Sequence, residues 1–351
     1  EGSVIYQNKL YQLIYYKPTQ QETHETPILI VPPWINKFYI LDLKPENSFI
    51  QFLLKKGVPV FLMSWVNPDS SHSHIGFEDY LKDGLFDAIN QTKTFYSVNM
   101  INTIGYCIGG TLLATGLSYL NNKKLNFVKS ASFFTTLTDF DDPGDLSIFI
   151  SDEYLTTIKN QVREKGYLDG DFLSQTFSFL RSNDLIYGPA VKSYLLGKKP
   201  PPFDLLYWNS DPTNLPGKMA LEYLEKFYKY NLFAKGLLEI SGENIKLDQI
   251  TQPIAAIGTF NDHIAPWQSS FNGLSKTAGK KMFILAGSGH IAGIINPDNS
   301  NKYGYWVNNK KYNNAEEWFN QSTNKNGSWW NEWYDWKKEF LGDKTSNKII
   351  E

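Results

Sequence analysis

A short apolar run, residues 100–105 (MINTIG), passes directly into Gly105-Tyr106-Cys107-Ile108-Gly109-Gly110, and the residues after it (GTLLATGLSYL) have the apolar spacing of a buried helix. A strand that becomes a helix with no loop between them must turn within a residue or two, and Cys107 sits at the turn. Glycines on both sides suit such a bend, because they alone tolerate the close approach of backbone it imposes. This junction constrains the chain more than any other feature. It asks for a sheet whose strands feed helices and present side chains at their carboxyl ends.

Further segments repeat the pattern. Residues 27–33 (PILIVPP) read as a short strand closed by two prolines, and 58–65 (VPVFLMSW) as a second, after the helix-like SFIQFLLKKG that ends on Gly57. Another strand is expected at 130–136 (SASFFTT), and two more at 253–260 (PIAAIGTF) and 281–287 (KMFILAG). Between about 139 and 245 the alternation blurs, aromatic residues accumulate and prolines cluster. The expectation is a single domain over 1–351, with a mostly parallel sheet, helices on both faces and a cap inserted at about 139–245. With 351 residues, 42% of them hydrophobic, core burial is ample without crosslinks.

The formal net charge of −2 gives no field to recruit nucleic acid or an anionic membrane. No run reaches the roughly 18 apolar residues of a membrane span. The only cysteine is Cys107, so no intramolecular disulfide can form, and the first residues carry neither a basic start nor an apolar stretch. These features point to a cytoplasmic protein.

The glycine-flanked turn is the nucleophile elbow of the α/β-hydrolase fold, G-x-S-x-G, with Cys107 in place of serine. A free cysteine at a strand end is more often a small buried hydrophobe, but packing does not ask for glycine on both sides. A thiol also suits the task, since its thiolate is a strong nucleophile. In this fold the acid and then the histidine follow the nucleophile, and only His263 and His290 lie after Cys107. His290 sits in a glycine-rich loop (AGSGHIAGII) just beyond the last predicted strand, where a loop can bring imidazole to the sheet edge. Asp262 follows the preceding strand and is the expected acid. Asp248 comes before its strand, at the wrong edge, while Asp139, Asp141 and Asp142 follow an earlier strand and remain alternatives. Oxyanion donors are expected from the N–H of Ile108 and from Ile35, or neighbouring Trp34, in the loop after the first predicted strand. His72 and His74 have no further His or Cys nearby, so no metal is expected. The late tryptophans, Trp318, Trp329, Trp330, Trp333 and Trp336, are expected to cover the sheet through an amphipathic helix rather than to form a docking face.

At these residues the chain closely resembles the catalytic domain of class I polyhydroxyalkanoate synthases. The likeness is carried by VPPWINKFYILDL (31–43), SWVNPD (64–69), GYCIGGTLLAT (105–115), TFSFLRSNDLIY (176–187), PFDLLYWNSDPTNLPG (202–217), NDHIAPW (261–267), GSGHIAGIINP (287–297) and GSWWNEW (327–333). It implies polymerisation of (R)-3-hydroxyacyl-CoA, with short monomers such as 3-hydroxybutyryl, into a polyester with release of coenzyme A. No cofactor is implied beyond that carrier. Cys107, Asp262 and His290 fall on the family's nucleophile, aspartate and histidine. A homodimer on the surface of polyester granules is also implied, with Trp208 near the active site or the dimer contact. The family's N-terminal domain is expected to be absent, and Ser182 stands where the family has proline.

Overall fold

The computed structural model describes residues 2–173, 207, 208, 210–310, 312 and 314–347. The family-like segment 176–187, with Ser182, and the first residues of 202–217 lie outside them. Among the described residues one sheet contains strands β1 (Gly2–Gln7), β2 (Tyr11–Tyr16), β3 (Ile28–Val31), β4 (Val60–Trp65), β5 (Ile101–Tyr106), β6 (Val128–Phe134), β7 (Ile254–Thr259), β8 (Lys281–Ala286), β9 (Tyr305–Val307) and β10 (Thr323–Lys325). Their order across the sheet is β1-β2-β4-β3-β5-β6-β7-β8-β9-β10. From β4 through β8 neighbouring strands pair in parallel. The flanking strands pair antiparallel.

The parallel strands are the segments expected from continuous apolar runs, as strands covered on both faces should be. Alternate residues serve opposite layers: Leu29, Val31, Phe61 and Met63 belong to one apolar cluster, Ile28, Ile30, Val60 and Leu62 to the other. Helices α2 (Asp87–Tyr96) and α3 (Ile108–Asn122) cover the first face. Helix α1 (Phe49–Lys55) covers the second, together with a later helix rich in tryptophan. Helix α3 is buried on nearly every side through Ser118, which explains its lack of a polar stripe.

Two parts of the sheet had no counterpart in the apolar runs. The first is the hairpin β1–β2, whose turn Asn8 organises: its Oδ1 accepts hydrogen bonds from the N–H of Leu10 (2.8 Å) and Tyr11 (3.1 Å). The second is the pair β9 and β10, only three residues each, which extends the other edge. In the 139–245 segment, α4 (Asp152–Lys165) and α5 (Gly217–Tyr223) pack Leu155, Ile158, Met219 and Tyr223 into the same cluster as the first face of the sheet. After it come α6 (Trp267–Ser275), on that face, and α7 (Trp330–Lys337), on the other. Trp329, Trp330 and Trp333 are almost wholly buried, so the tryptophans cover the sheet as expected. Among the described residues no helix is long and apolar enough to cross a membrane.

Candidate active site

Cys107 is the one residue between β5 and α3, at φ 52° and ψ −125°. A non-glycine residue there carries about 1–3 kcal/mol of backbone strain, which the packing around it must hold. Three glycines make that packing possible. A Cβ on Gly105 would meet Gly110, one on Gly109 would meet the carbonyl oxygens of Val31 and Pro32, and one on Gly110 would meet the Thr136 side chain. The backbone N–H of Cys107 donates to Phe134 O at the end of β6 (2.8 Å), which fixes the turn to the neighbouring strand. Gly109 is therefore set by contact with the end of β3 and Gly110 by contact with Thr136 just beyond β6, not only by local flexibility.

The Asp262 carboxylate lies in the turn after β7. Its Oδ1 accepts from the N–H of Ile264 and Ala265, both at 2.9 Å, and its Oδ2 accepts from Thr259 Oγ1 at 3.0 Å. That leaves Oδ2 facing His290 Nδ1 at 2.7 Å. The aspartate side chain is wholly buried and the imidazole is 12% exposed. Burial by itself would strip the proton from His290. The charges of Asp262 and Cys107, with a hydrogen bond to each, outweigh it and push the imidazole up to about 10. The side chain is thus a protonated base held between a carboxylate on Nδ1 and a sulfur.

Tyr106, the residue before the cysteine, also supports His290. Its ring stacks on the imidazole (centroids 5.9 Å apart, 22° between planes) and its hydroxyl donates to His290 O at 3.3 Å. The loop after His290 is tied down from the far face: Trp329 Nε1 donates to Gly293 O at 2.8 Å and Trp330 Nε1 to Ile294 O at 2.9 Å. These contacts escaped the sequence reasoning. The late tryptophans did suggest a covering helix, but nothing in their spacing showed that they anchor the histidine loop.

Ile108 opens α3, so its N–H is one of the helix donors without an intrahelical partner. Ile35 and Ile108 together border a small apolar cavity of about 40 Å³, closed by residues that include Leu146, Phe149, Leu215 and Tyr228. The indole of Trp34 is turned into the core against Trp65. The Ile35 loop is braced by the segment after Trp208: Thr213 N–H donates to Ile35 O (2.8 Å) and Trp208 Nε1 to Lys37 O (2.7 Å).

The other candidates stand apart. Asp139 is buried, but its carboxylate is taken by Lys276 Nζ (2.5 Å) and Asn231 Nδ2 (2.8 Å). Asp141, Asp142 and Asp248 are exposed. His263 is exposed, and its carbonyl accepts from Asp145 N–H at 2.8 Å, so it shapes the loop. His72 pairs with Asp69 (2.9 Å) as a helix cap. Among the described residues no group of three His, Cys, Asp or Glu side chains could hold a metal ion.

Comparison with known proteins agrees with this arrangement. Residues 1–53 match the family model described as the N-terminus of poly-beta-hydroxybutyrate polymerase (PhaC). The chain is 41% identical over 349 residues to a poly(3-hydroxyalkanoate) polymerase of Methylorubrum extorquens, covering 99% of this chain and 58% of that one. It is 39% identical over 355 residues to the poly(3-hydroxyalkanoate) polymerase subunit PhaC of Cupriavidus necator, covering 98% and 59%. The chain thus spans less than two thirds of the length of these curated relatives, and is homologous to them over nearly all of its own. Among solved structures, DcsB in complex with its substrate analogue superposes with a TM-score of 0.51 at 13% identity, covering 84% of this chain and 93% of that one. Est816, described as an N-acyl homoserine lactone degrading enzyme, gives 0.50 at 12%, covering 84% and 95%. The fold is the α/β-hydrolase fold.

Proposed function

We propose that this chain, homologous end to end to poly(3-hydroxyalkanoate) polymerases, carries the catalytic centre of such an enzyme. It transfers (R)-3-hydroxyacyl groups from coenzyme A into a polyester through a thioester on Cys107. The observation that carries the reading is the chain's one thiol on a strained turn, together with an imidazole whose Nδ1 is 2.7 Å from a buried carboxylate and whose proton affinity that thiol helps to raise.

In the acylation step the Cys107 sulfur attacks the thioester carbonyl, the bond to the coenzyme A sulfur breaks, and that sulfur leaves with the proton His290 carries. The oxyanion of the tetrahedral intermediate is met by the N–H of Ile108, with Ile35 as the second donor. Acylation removes the free sulfur, one of the two partners whose influence holds the proton on His290. The imidazole then acts as a base. It takes the proton of a 3-hydroxyl group, whose oxygen attacks the Cys107 thioester, forming an ester bond and releasing the sulfur. Asp262 keeps the Nδ1 proton in place throughout. Coenzyme A enters as the acyl carrier and leaves as product, and the reaction calls for no other cofactor. Short monomers, a homodimer and a site of action at polyester granules in the cytoplasm extend the same reading.

Incubation with (R)-3-hydroxybutyryl-CoA tests it. The expected result is release of coenzyme A together with insoluble polyester. Free 3-hydroxybutyrate with no polymer would replace polymerisation by hydrolysis, and no release at all would remove the reading.

A further inference from the structure

Tyr106 lies on the route of no proton in either step, yet it is joined to one reacting residue and lies against the other. It is the last residue of β5, bonded through the chain to Cys107, and its ring stacks on the His290 imidazole with centroids 5.9 Å apart and 22° between planes. The tyrosine is 1% exposed and the imidazole 12%, so the contact is shielded from water. The face of a phenol ring is negative and attracts a cation held over it, most strongly where water is excluded. The stack therefore favours the imidazolium over the neutral imidazole. In the acylation step His290 starts charged and gives up its proton. In the transfer step it starts neutral and becomes charged as the 3-hydroxyl oxygen attacks. The same contact does not help the first step and assists the second.

The transfer step also leaves the ring less restrained. Once the Cys107 sulfur is acylated, the hydrogen bond from Nδ1 to Asp262 Oδ2, at 2.7 Å, still holds one edge of the imidazole. A ring held at one atom can tilt about it, and the flat contact with Tyr106 limits the tilt. The Tyr106 hydroxyl has a different task. It donates to His290 O at 3.3 Å and so holds the loop backbone, which Trp329 and Trp330 also anchor at Gly293 and Ile294.

We infer that Tyr106 is a positioning residue for the transfer step, whose ring face steadies and stabilises the imidazolium formed when a 3-hydroxyl attacks the Cys107 thioester. The inference rests on the reading of the site as an acyltransferase and divides the work of the two half-reactions.

Rapid-quench measurements separate the steps. (R)-3-Hydroxybutyryl-CoA mixed with excess protein acylates each site at most once, so release of coenzyme A reports acylation alone. A second portion then supplies the attacking hydroxyl, and formation of the ester bond reports transfer. Tyr106→Leu is expected to slow transfer about tenfold and acylation by less than about twofold. Tyr106→Phe keeps the ring and loses only the hydroxyl, and both steps are expected to stay within about threefold of the unmodified protein. Pentafluorophenylalanine in place of Tyr106 keeps the shape but removes the negative face. It should slow transfer as leucine does, and it serves where Tyr106→Leu fails to fold. Equal losses in both steps, no loss in transfer, or Tyr106→Phe as slow as Tyr106→Leu would overturn the inference while leaving the acyltransferase reading intact. Absence of coenzyme A release from the unmodified protein would remove the reading, and the inference with it.

Discussion

Two basic side chains lie inside this sheet, and the molecule treats them in opposite ways. His290, at the carboxyl ends of the strands, is pressed between Asp262 and Cys107 and keeps its proton to about 10. Lys337, at the end of α7, is completely buried, and among the described residues its Nζ hydrogen-bonds to Ser130 Oγ (2.9 Å), Thr103 O (3.3 Å) and Ser132 Oγ (3.5 Å). None of these is a carboxylate, so burial lowers its affinity for a proton well below the usual lysine value. Burial is common to both. A charged partner decides whether it fixes the proton or expels it.

The contrast can be tested from its largest effect downward. Cys107→Ala should abolish turnover, a loss on the order of 10⁶-fold, because members of a catalytic unit fail together. Single-turnover release of coenzyme A measures it. Asp262→Asn should cost on the order of 10⁴-fold in kcat by releasing the imidazole from its tautomer and position. It should also lower the His290 pKa, visible as an acid shift in the pH profile or directly by NMR. Near wild-type rates would move the acid elsewhere. Trp333→Ala, which removes a buried indole bonded to Ser132 Oγ at 2.9 Å, should destabilise the fold by about 3–5 kcal/mol in a denaturant titration.

The smallest effect concerns stability against pH. His290 has a raised folded pKa, so its contribution is complete below its unfolded value of 6.5 and is lost as pH climbs through about 10. Lys337 works the other way. The folded chain holds the lysine proton less tightly than the unfolded chain, whose value is 10.5, so stability rises with pH towards that value. Lys337→Met should therefore raise Tm at pH 7, with a gain that shrinks towards pH 10.5. The oxygens it leaves behind keep other partners, since Ser130 Oγ donates to Asn102 Oδ1 and Ser132 Oγ accepts from Trp333. A lower Tm at pH 7 would show that the lysine holds a charge.

The same two regions show how much could be read in advance. Cys107, Asp262 and His290 were legible because each follows a strand with a recognisable apolar run, and the fold orders the three along the chain. Asp262 could be told from Asp139 only by position. The structure adds the physical reason, since Lys276 and Asn231 already occupy Asp139. Lys337 drew no attention, because a lysine ending an amphipathic helix ordinarily faces water. Tyr106 and the indoles that hold Gly293 and Ile294 were equally silent, since aromatic residues look alike whether they fill a core or brace a loop. The short strands at both sheet edges were missed because three to six residues of mixed polarity carry little periodic signal.

The sequence alone determined the order of the parallel strands' segments, the turn at Cys107 and the trio of reactive groups, because hydrophobic period and glycine placement are local properties. Tertiary structure decided which carboxylate reaches the imidazole and which lysine is buried away from any carboxylate. Those outcomes depend on contacts between segments separated along the chain, 28 residues for Asp262 with His290 and 207 for Ser130 with Lys337, and only the packed sheet sets them.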